Sequence, residues 1–158
     1  VHDVLDAWFR EDRCAPGKLA PRIEAMLADP ALHPLIRALW RPRLTEAIAW
    51  IEDEVAADRA AGRTPAASEI AGEVRIAGVT LHGKADRLDT LPGGALAVVD
   101  YKTGHAPKKP VIAAGYALQL GLLGLIAKSN GFGELHAKPT RFEYWSLAKD
   151  KGAVGYRR

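Results

Sequence analysis

The segment at residues 95–102, ALAVVDYK, constrains the fold more than any other part of the sequence. Its length and its Val-rich apolar run predict a strand that is largely buried in a sheet. Because alternate residues of a strand face the same side, we expect Asp100 and Lys102 to project together and Tyr101 to point the other way. Two charges there cost free energy unless they are paired, hydrated or bound to a metal. The end of this strand is therefore a candidate functional site.

In the first part of the chain, apolar residues have the spacing of amphipathic helices. Apolar residues recur at helical intervals in residues 1–11, residues 19–28 have a helical pattern, and residues 43–61 form the clearest helix. Residues 1–64 are therefore predicted to be a helical portion of the protein.

The rest of the chain has the pattern of strands interrupted by one helix. In addition to the strand at 95–102, we expect strands at 69–76, 79–89 and 140–147, and a very apolar helix at 111–127. A two-residue turn, Ala77-Gly78, joins the first two strands. The predicted fold class is α/β, a single domain of residues 1–158 with a small mixed β-sheet flanked by helices, in which residues 65–158 form the α/β core.

A single cysteine, Cys14, limits which cofactors the chain can bind. It excludes a disulfide within the chain and a zinc or iron–sulfur site built from cysteines, and it favours a reducing, intracellular setting. The 22 basic and 19 acidic residues give a net charge of +3, which permits a polyanionic partner without requiring one. No apolar run approaches the roughly 18 residues of a membrane span. Because the chain begins at Val1, we expect it to be a piece of a longer protein.

The chemistry of the candidate site points to a divalent cation. A hairpin pairing of the strands at 79–89 and 95–102 can place Asp86 beside Asp100. Two close carboxylates repel each other, and Mg²⁺, which prefers oxygen ligands, removes that conflict. Lys102 beside them can orient or deprotonate a water, or offset charge on a phosphate. These are the parts that phosphodiester hydrolysis requires.

The motifs GKADRLD and VVDYKTG together resemble the PD-(D/E)xK nuclease superfamily, and within it the RecB-type nuclease domains of bacterial helicase–nucleases. Members carry a His on a helix, an Asp within G-x-x-D-R-x-D, D-x-K on the next strand, and a Gln on the following helix, often with a Tyr one turn before it. The chain has the same residues in the same order: His2, Asp86, Asp100, Lys102, Tyr116 and Gln119. The resemblance implies a restriction-endonuclease-like core, catalytic residues at Asp86, Asp100, Lys102 and Gln119, and metal ligands at His2, Asp86, Asp100 and the Tyr101 backbone carbonyl.

Within that group the chain is similar to the C-terminal nuclease domains of the AddB family, because its ending, RFEYWSLAKDKGAVGYRR, is similar to the tails of alphaproteobacterial members. The resemblance implies a Mg²⁺-dependent deoxyribonuclease, with Mn²⁺ able to substitute, that acts as an exonuclease on a single-stranded DNA end in double-strand break repair. It also implies a helicase portion in the same chain, an AddA-type partner subunit, no membrane association, and a bacterial cytoplasmic location at the nucleoid. Some AddB proteins bind an iron–sulfur cluster through four cysteines, whereas Cys14 stands alone here. Either the chain belongs to a branch without the cluster or a segment outside this sequence matters; we expect the branch.

Each site assignment has a structural alternative. Asp100 with Lys102 can be a surface ion pair at a strand end, and Asp86 can be a hydrated carboxylate that pairs with a neighbouring base. His2 lies at the edge of an apolar helix face, where it can be a packed core residue, and Gln119 can be a structural glutamine. In the functional interpretation, we expect neither the Asp100 nor the Lys102 side chain to belong to the core.

DNA contacts are expected from residues around the site. Tyr116 and Gln119 are three apart and are expected to share a helix face. Lys108 and Lys109 follow the active strand and can contact phosphates, although a hydrated loop is an equal alternative. The local clusters of basic residues are Lys108-Lys109 and the terminal Arg157–Arg158.

Other polar and aromatic residues are assigned structural roles. Arg87 and Asp89 are expected to point away from Asp86 and to form a structural ion pair. Glu69 and Glu73 are possible further carboxylates that only their positions support. The four Trp residues are expected to be core or partner-interface groups, and stacking on single-stranded DNA is the less common alternative.

Two other functions are compatible with these motifs. One is a free-standing or CRISPR-associated exonuclease of the same superfamily. The other is a non-catalytic, nuclease-like domain that binds DNA or a partner; loss of Asp86, Asp100 or Lys102 would mark that case, and all three are present. The chain has no GxxxxGK[ST] motif, so this part of the protein does not hydrolyse ATP by that route.

Overall fold

Three helices come first along the chain, and a five-stranded sheet with two further helices follows. The computed structural model describes residues 1–158. The helices are α1 (His2–Asp12), α2 (Leu19–Ala28), α3 (Pro34–Ala60), α4 (Lys109–Ala113) and α5 (Gln119–Lys128). The strands are β1 (Thr64–Ile76), β2 (Val79–Thr90), β3 (Leu96–Lys102), β4 (Pro139–Asp150) and β5 (Ala153–Arg157). None of the helices is long and apolar enough to cross a membrane.

The strands form one sheet in the order β1-β2-β3-β4-β5. Neighbouring strands are antiparallel except for β3 and β4, which are parallel and are connected through α4 and α5. The expected small mixed sheet flanked by helices is therefore confirmed. The parallel register sets Asp100 opposite Tyr144 and Lys102 opposite Ser146.

The central strand β3 separates two hydrophobic clusters. Val99 and Tyr101 belong to the cluster formed with α1, α2 and α3, whereas Val98 belongs to the cluster formed with α5. Burying an apolar side chain of this size stabilises the fold by roughly 1.5–3 kcal/mol, so both faces of β3 fix its register. Alternation then places Asp100 on the α5 side. The expectation that Asp100 lies outside the core is wrong, since the residue is 1% exposed; the strand is covered at that position by the crossover to β4.

The expected single helix at 111–127 is wrong, because the chain leaves the helical conformation near Gly115. The N–H of Gly115 donates to Ile112 O and that of Tyr116 donates to Val111 O, which is the Schellman pattern that ends α4. Gly115 adopts a φ of 78° there, as this pattern requires. Tyr116 is consequently outside both helices and 86% exposed, so it does not share a helix face with Gln119.

Two boundaries also differ from the sequence prediction. Helix α3 begins at Pro34 and not at residue 43, because Pro34 occupies the first turn, where no N–H is needed, and His33 Nδ1 accepts a hydrogen bond from the N–H of Leu35. Strand β5 was not predicted from the sequence. The strand is short, and Gly155 within it has a φ of 89° and packs directly on Trp50. A strand of this kind has no recognisable sequence pattern.

A network of buried charges joins the sheet to the helices. The expected Arg87–Asp89 ion pair is present at 2.9 Å, and Asp89 also accepts a hydrogen bond of 2.7 Å from Arg63. The guanidinium carbons of Arg87 and Arg157 each lie 4.1 Å from the centroid of the buried Trp145 ring. Arg157 in turn pairs with Asp58 of α3 at 2.9 Å. This network connects β2, β4 and β5 to α3.

We expect Asp89→Ala to lower the free energy of unfolding by about 3–5 kcal/mol, because it leaves Arg63 and Arg87 buried without their shared carboxylate. Urea denaturation followed by circular dichroism measures the change. Glu24→Ala is the matched control: it removes an ion pair of 2.6 Å with Arg41 whose side chains are both 48% exposed, and such pairs contribute less than about 1 kcal/mol. Equal losses in the two variants would contradict the structural role of the network.

Candidate active site

The candidate site lies where β2 and β3 stop pairing. The last Cα pair of these antiparallel strands is Arg87 with Val99, and Asp86 and Asp100 lie one position beyond it. The Asp86 carboxylate bridges the opening, because its Oδ2 accepts a hydrogen bond of 2.7 Å from the backbone N–H of Tyr101. The two carboxylates therefore flank the point where the strands diverge.

Three side chains from three different elements meet beside this opening. His2 begins α1, Glu69 lies in β1, and Asp86 lies in β2. The Nδ1 atom of His2 is 3.5 Å from Glu69 Oε1 and 3.6 Å from Asp86 Oδ1. One potential ligand atom from each residue lies within 4.8 Å of those from the other two. A single cation could therefore contact all three side chains.

Glu69 reaches this cluster through an irregularity in β1. Its φ of 49° lies in the left-handed region, which is uncommon for a residue other than glycine and costs on the order of 1–3 kcal/mol. The β1–β2 ladder is interrupted at Glu69 and Asp86, although their neighbours on both sides remain paired. The second carboxylate oxygen of Glu69, Oε2, lies 2.5 Å from Lys84 Nζ. Backbone strain of this kind concentrates at functional sites.

Asp100 and Lys102 form the other half of the site. Lys102 Nζ lies 2.6 Å from Asp100 Oδ2. The same ammonium group donates a hydrogen bond of 2.8 Å to Oε1 of Gln119, the first residue of α5. The centroid of the Tyr144 ring is 5.6 Å from Nζ. A carboxylate, an amide and an aromatic ring therefore fix the position of the Lys102 ammonium.

The charges of the site change one another's proton affinities. The hydrogen bond to Asp86 raises the pKa of His2, and Glu69 adds to this rise against the opposing effect of burial. Burial raises the pKa of Asp100; the neighbouring Asp86 charge raises it further, while Lys102 lowers it. Negative charge around Asp86 is thus the main cause of the raised pKa of His2, and it contributes, after burial, to the raised pKa of Asp100. A bound cation would offset that charge.

The residues present fit a hard divalent cation. Asp100 Oδ2 is buried and has no aligned hydrogen-bond donor, since Lys102 approaches it at ion-pair distance but outside hydrogen-bonding geometry. Asp86, Asp100 and Glu69 offer the oxygen ligands that Mg²⁺ and Mn²⁺ prefer. His2 adds a nitrogen, which Mn²⁺ accepts more readily than Mg²⁺. The donor set therefore suits Mg²⁺ and, through His2, Mn²⁺.

Most of the site residues expected from the sequence meet at this opening: His2, Asp86, Asp100, Lys102 and Gln119. The Tyr101 carbonyl is in the peptide that joins Tyr101 to Lys102, and its role as a metal ligand stays a prediction. Tyr116 lies in the turn between α4 and α5. Lys108 and Lys109 lie at the start of α4 with exposed side chains. The assignment of these three residues to DNA binding also stays a prediction.

Glu69 and Tyr144 also lie at the site. Glu69 was predicted only as a possible further carboxylate, and Tyr144 was assigned no role. The signal for Glu69 was present, because a two-residue turn at Ala77-Gly78 sets residue 69 opposite Asp86 in a regular hairpin. Tyr144 had no comparable signal. Its position beside Asp100 depends on the parallel pairing of β3 and β4, which the pattern of the strand at 140–147 does not specify.

Two comparisons with known proteins bear on this site. The family model described as the PD-(D/E)XK nuclease superfamily matches residues 1–157. An uncharacterized protein of Rickettsia bellii (strain RML369-C) is 37% identical to the chain over 73 residues, which are 44% of this chain and 9% of that protein. That relative is therefore several times longer than the 158 residues described here.

We expect Glu69→Gln to weaken Mn²⁺ binding by at least about tenfold, equivalent to about 1.4 kcal/mol, because it removes a charged ligand without changing the shape of the side chain. Asp86→Asn should have a larger effect, since Asp86 contacts both His2 and the Tyr101 N–H. Titration calorimetry with Mn²⁺ measures both. Glu73→Gln is the control, because Glu73 lies on the same strand and its side chain is 69% exposed. Unchanged Mn²⁺ affinity in Glu69→Gln would remove Glu69 from the site.

Proposed function

The chain belongs to the PD-(D/E)XK nuclease superfamily, and from that premise we propose that it hydrolyses phosphodiester bonds of DNA with a divalent cation. Nucleases of this superfamily generally use divalent metals. The observation that supports the proposal most strongly is the pairing of two half-sites. His2, Glu69 and Asp86 can bind a cation, and beside them Lys102 is held by Asp100 and Gln119.

Different residues of the site are assigned to binding the cation, contacting the phosphate or the attacking water, and positioning Lys102. When bound, the cation supplies Lewis-acid stabilisation of the charge on the phosphate. His2, Glu69 and Asp86 would hold that cation, and the Asp100 carboxylate would add a further oxygen ligand at the opening between β2 and β3. The Lys102 ammonium can donate to a phosphate oxygen or orient the attacking water. Gln119 keeps the ammonium directed into the site through its 2.8 Å hydrogen bond.

The finer assignments form part of the same proposal. Mg²⁺ is the proposed cation, with Mn²⁺ able to substitute, and the proposed substrate is a single-stranded DNA end cut by an exonuclease. The proposed setting is an AddB-type helicase–nuclease in double-strand break repair, located at the nucleoid in the bacterial cytoplasm, with the helicase portion in the same chain and an AddA-type partner. The similarity of residues 141–158 to AddB tails supports this setting, as does a much longer relative, whose length leaves room for a motor.

Lys102→Ala should lower the rate of cleavage by about 10²–10³-fold, the typical loss when one stabilising donor is removed from a charged transition state. Asp100→Asn should lower it by a similar factor while preserving the buried shape. Release of labelled nucleotides from single-stranded DNA in Mg²⁺ and in Mn²⁺ measures both. Lys128→Ala, which removes an exposed cation at the opposite end of α5 from Gln119, is the control. Near wild-type cleavage by Lys102→Ala would contradict its proposed role.

The 158-residue chain alone should bind single-stranded DNA weakly and cut it slowly. Non-specific affinity comes from phosphate contacts, yet Arg157, one of the terminal basic residues, is already paired with Glu54 and Asp58. A motor that delivers the strand would raise the effective concentration instead. We expect a dissociation constant near the weak end of roughly 10⁻⁴–10⁻⁶ M at about 150 mM salt, measured by fluorescence anisotropy. Nanomolar binding with rapid turnover would favour a free-standing exonuclease.

A further inference from the structure

A cleft opens between α3 and the chain that leaves the end of β3. Its volume is about 410 Å³, within the range of roughly 300–1,000 Å³ that is typical of small-ligand sites. Val1, Thr103 and Gly104 line one part of it. Val1 precedes His2, and Thr103 follows Lys102. Two residues that line the cleft are therefore adjacent in sequence to residues of the candidate active site, His2 and Lys102.

Trp40 on α3 lines the other side of this cleft and differs from the buried tryptophans. Its exposure is 47%, against 1% for Trp8 and 0% for Trp145. The indole N–H groups of Trp8 and Trp145 donate hydrogen bonds within the protein, whereas that of Trp40 has no partner. A half-exposed ring beside a strand-cleaving site is suited to stacking on an unpaired base, which is flat and apolar on both faces.

Arg43, one turn along α3 from Trp40, supplies a cation to the same cleft. Its guanidinium donates a hydrogen bond of 3.0 Å to Thr103 O and forms no ion pair with a carboxylate. Arg43 also lines an adjoining open cleft together with His105 and Lys149, where Glu46 is the acidic side chain. Lys149 therefore provides a second cation on this surface, which a phosphate backbone can contact.

We propose that this cleft binds one nucleotide of a single-stranded DNA chain, next to the bond that is cut, with its base stacked on Trp40 and a phosphate against Arg43. The inference rests on the proposed nuclease function and narrows its substrate. Only an unpaired strand presents a free base face, so the cleft selects single-stranded over double-stranded DNA.

The competing occupant is another portion of the longer protein. Leu35, Ile36 and Leu39 on the same helix are exposed, and a protein surface could cover them together with Trp40. Charge favours the nucleotide, because an arginine without a carboxylate partner matches a phosphate better than an apolar protein surface. Position favours it as well, since a protein seated on Thr103 and Gly104 would obstruct the strand beside Lys102.

The test follows the Trp40 indole signal by nuclear magnetic resonance, with the 158-residue chain in a chelator that prevents cleavage. Trp40→Phe assigns the signal. Titration with oligothymidylate should shift the Trp40 signal and leave that of Trp8 unchanged, while an abasic oligomer of the same length should shift it much less. Trp40→Ala should weaken binding of the oligothymidylate by roughly five- to 150-fold, and Trp40→Phe should retain most of the affinity.

Two further variants complete the test. Arg43→Gln should reduce the slope of log affinity against log salt by about 0.7, the value for one phosphate of a single strand. Leu35→Ala, on the same helix but outside the lining of the cleft, should leave binding unchanged. The proposal is wrong if the Trp40 signal does not shift with the oligomer, or if the abasic oligomer binds with equal affinity. Either result would favour a protein partner as the occupant of this face of α3.

The outcome also separates this inference from the nuclease proposal. If cleavage in Mg²⁺ depends on Lys102 but the Trp40 signal does not respond to DNA, the proposal for the cleft is wrong and the proposed nuclease function stands. The opposite result is a base-dependent shift of the Trp40 signal in the wild type and in Lys102→Ala, with no cleavage by the wild-type chain in either metal. In that case the proposed nuclease function is wrong and the proposal that the cleft binds a nucleotide stands.

Discussion

Tyr101 is the residue through which the active-site carboxylates depend on the buried core. Its backbone N–H donates to Asp86 at 2.7 Å, while its hydroxyl accepts a hydrogen bond of 2.5 Å from Arg87 on the other face of the sheet. Arg87 is itself held by Asp89. One residue of β3 therefore connects the opening where a cation can bind to the ionic network around Trp145. The position of Asp86 therefore depends on the buried contacts of Tyr101 as well as on the neighbours of Asp86 at the surface.

This connection explains how the fold can hold several carboxylates close together. Their mutual repulsion and the left-handed backbone of Glu69 both destabilise the protein when no cation is present. The two hydrophobic clusters on either side of β3 and the buried ion pairs offset that cost. A cation that binds only the folded state then adds stability in proportion to its affinity. Without a cation, the site lowers the free energy of unfolding, and the packing of the surrounding core offsets that loss.

The sequence predicted the parts of the site that follow from local pattern. The two-residue periodicity of β3 was enough to place Asp100 and Lys102 on one face and Tyr101 on the other, and the adjacent hairpin brought in Asp86. It could not predict features that arise from long-range pairing. The burial of Asp100 and the approach of Tyr144 both depend on β4 returning parallel to β3. The helix break at Gly115 was also missed, since an apolar run does not reveal where a left-handed glycine will end a helix.

The distribution of positive charge sets how the site can obtain its substrate. Many of the arginines are committed to carboxylates inside the protein: Arg22, Arg41, Arg63, Arg87 and Arg157. The count of 22 basic residues therefore overstates the number of cations available to a polyanion. Cations near the end of β3 that have no carboxylate partner include Arg43 and, at the start of α4, Lys108 and Lys109. Under the proposed function, a few phosphate contacts of this kind would align a strand over Lys102 but would bind it only weakly from dilute solution. The proposed function therefore predicts that another part of the protein captures the strand and that these residues align it.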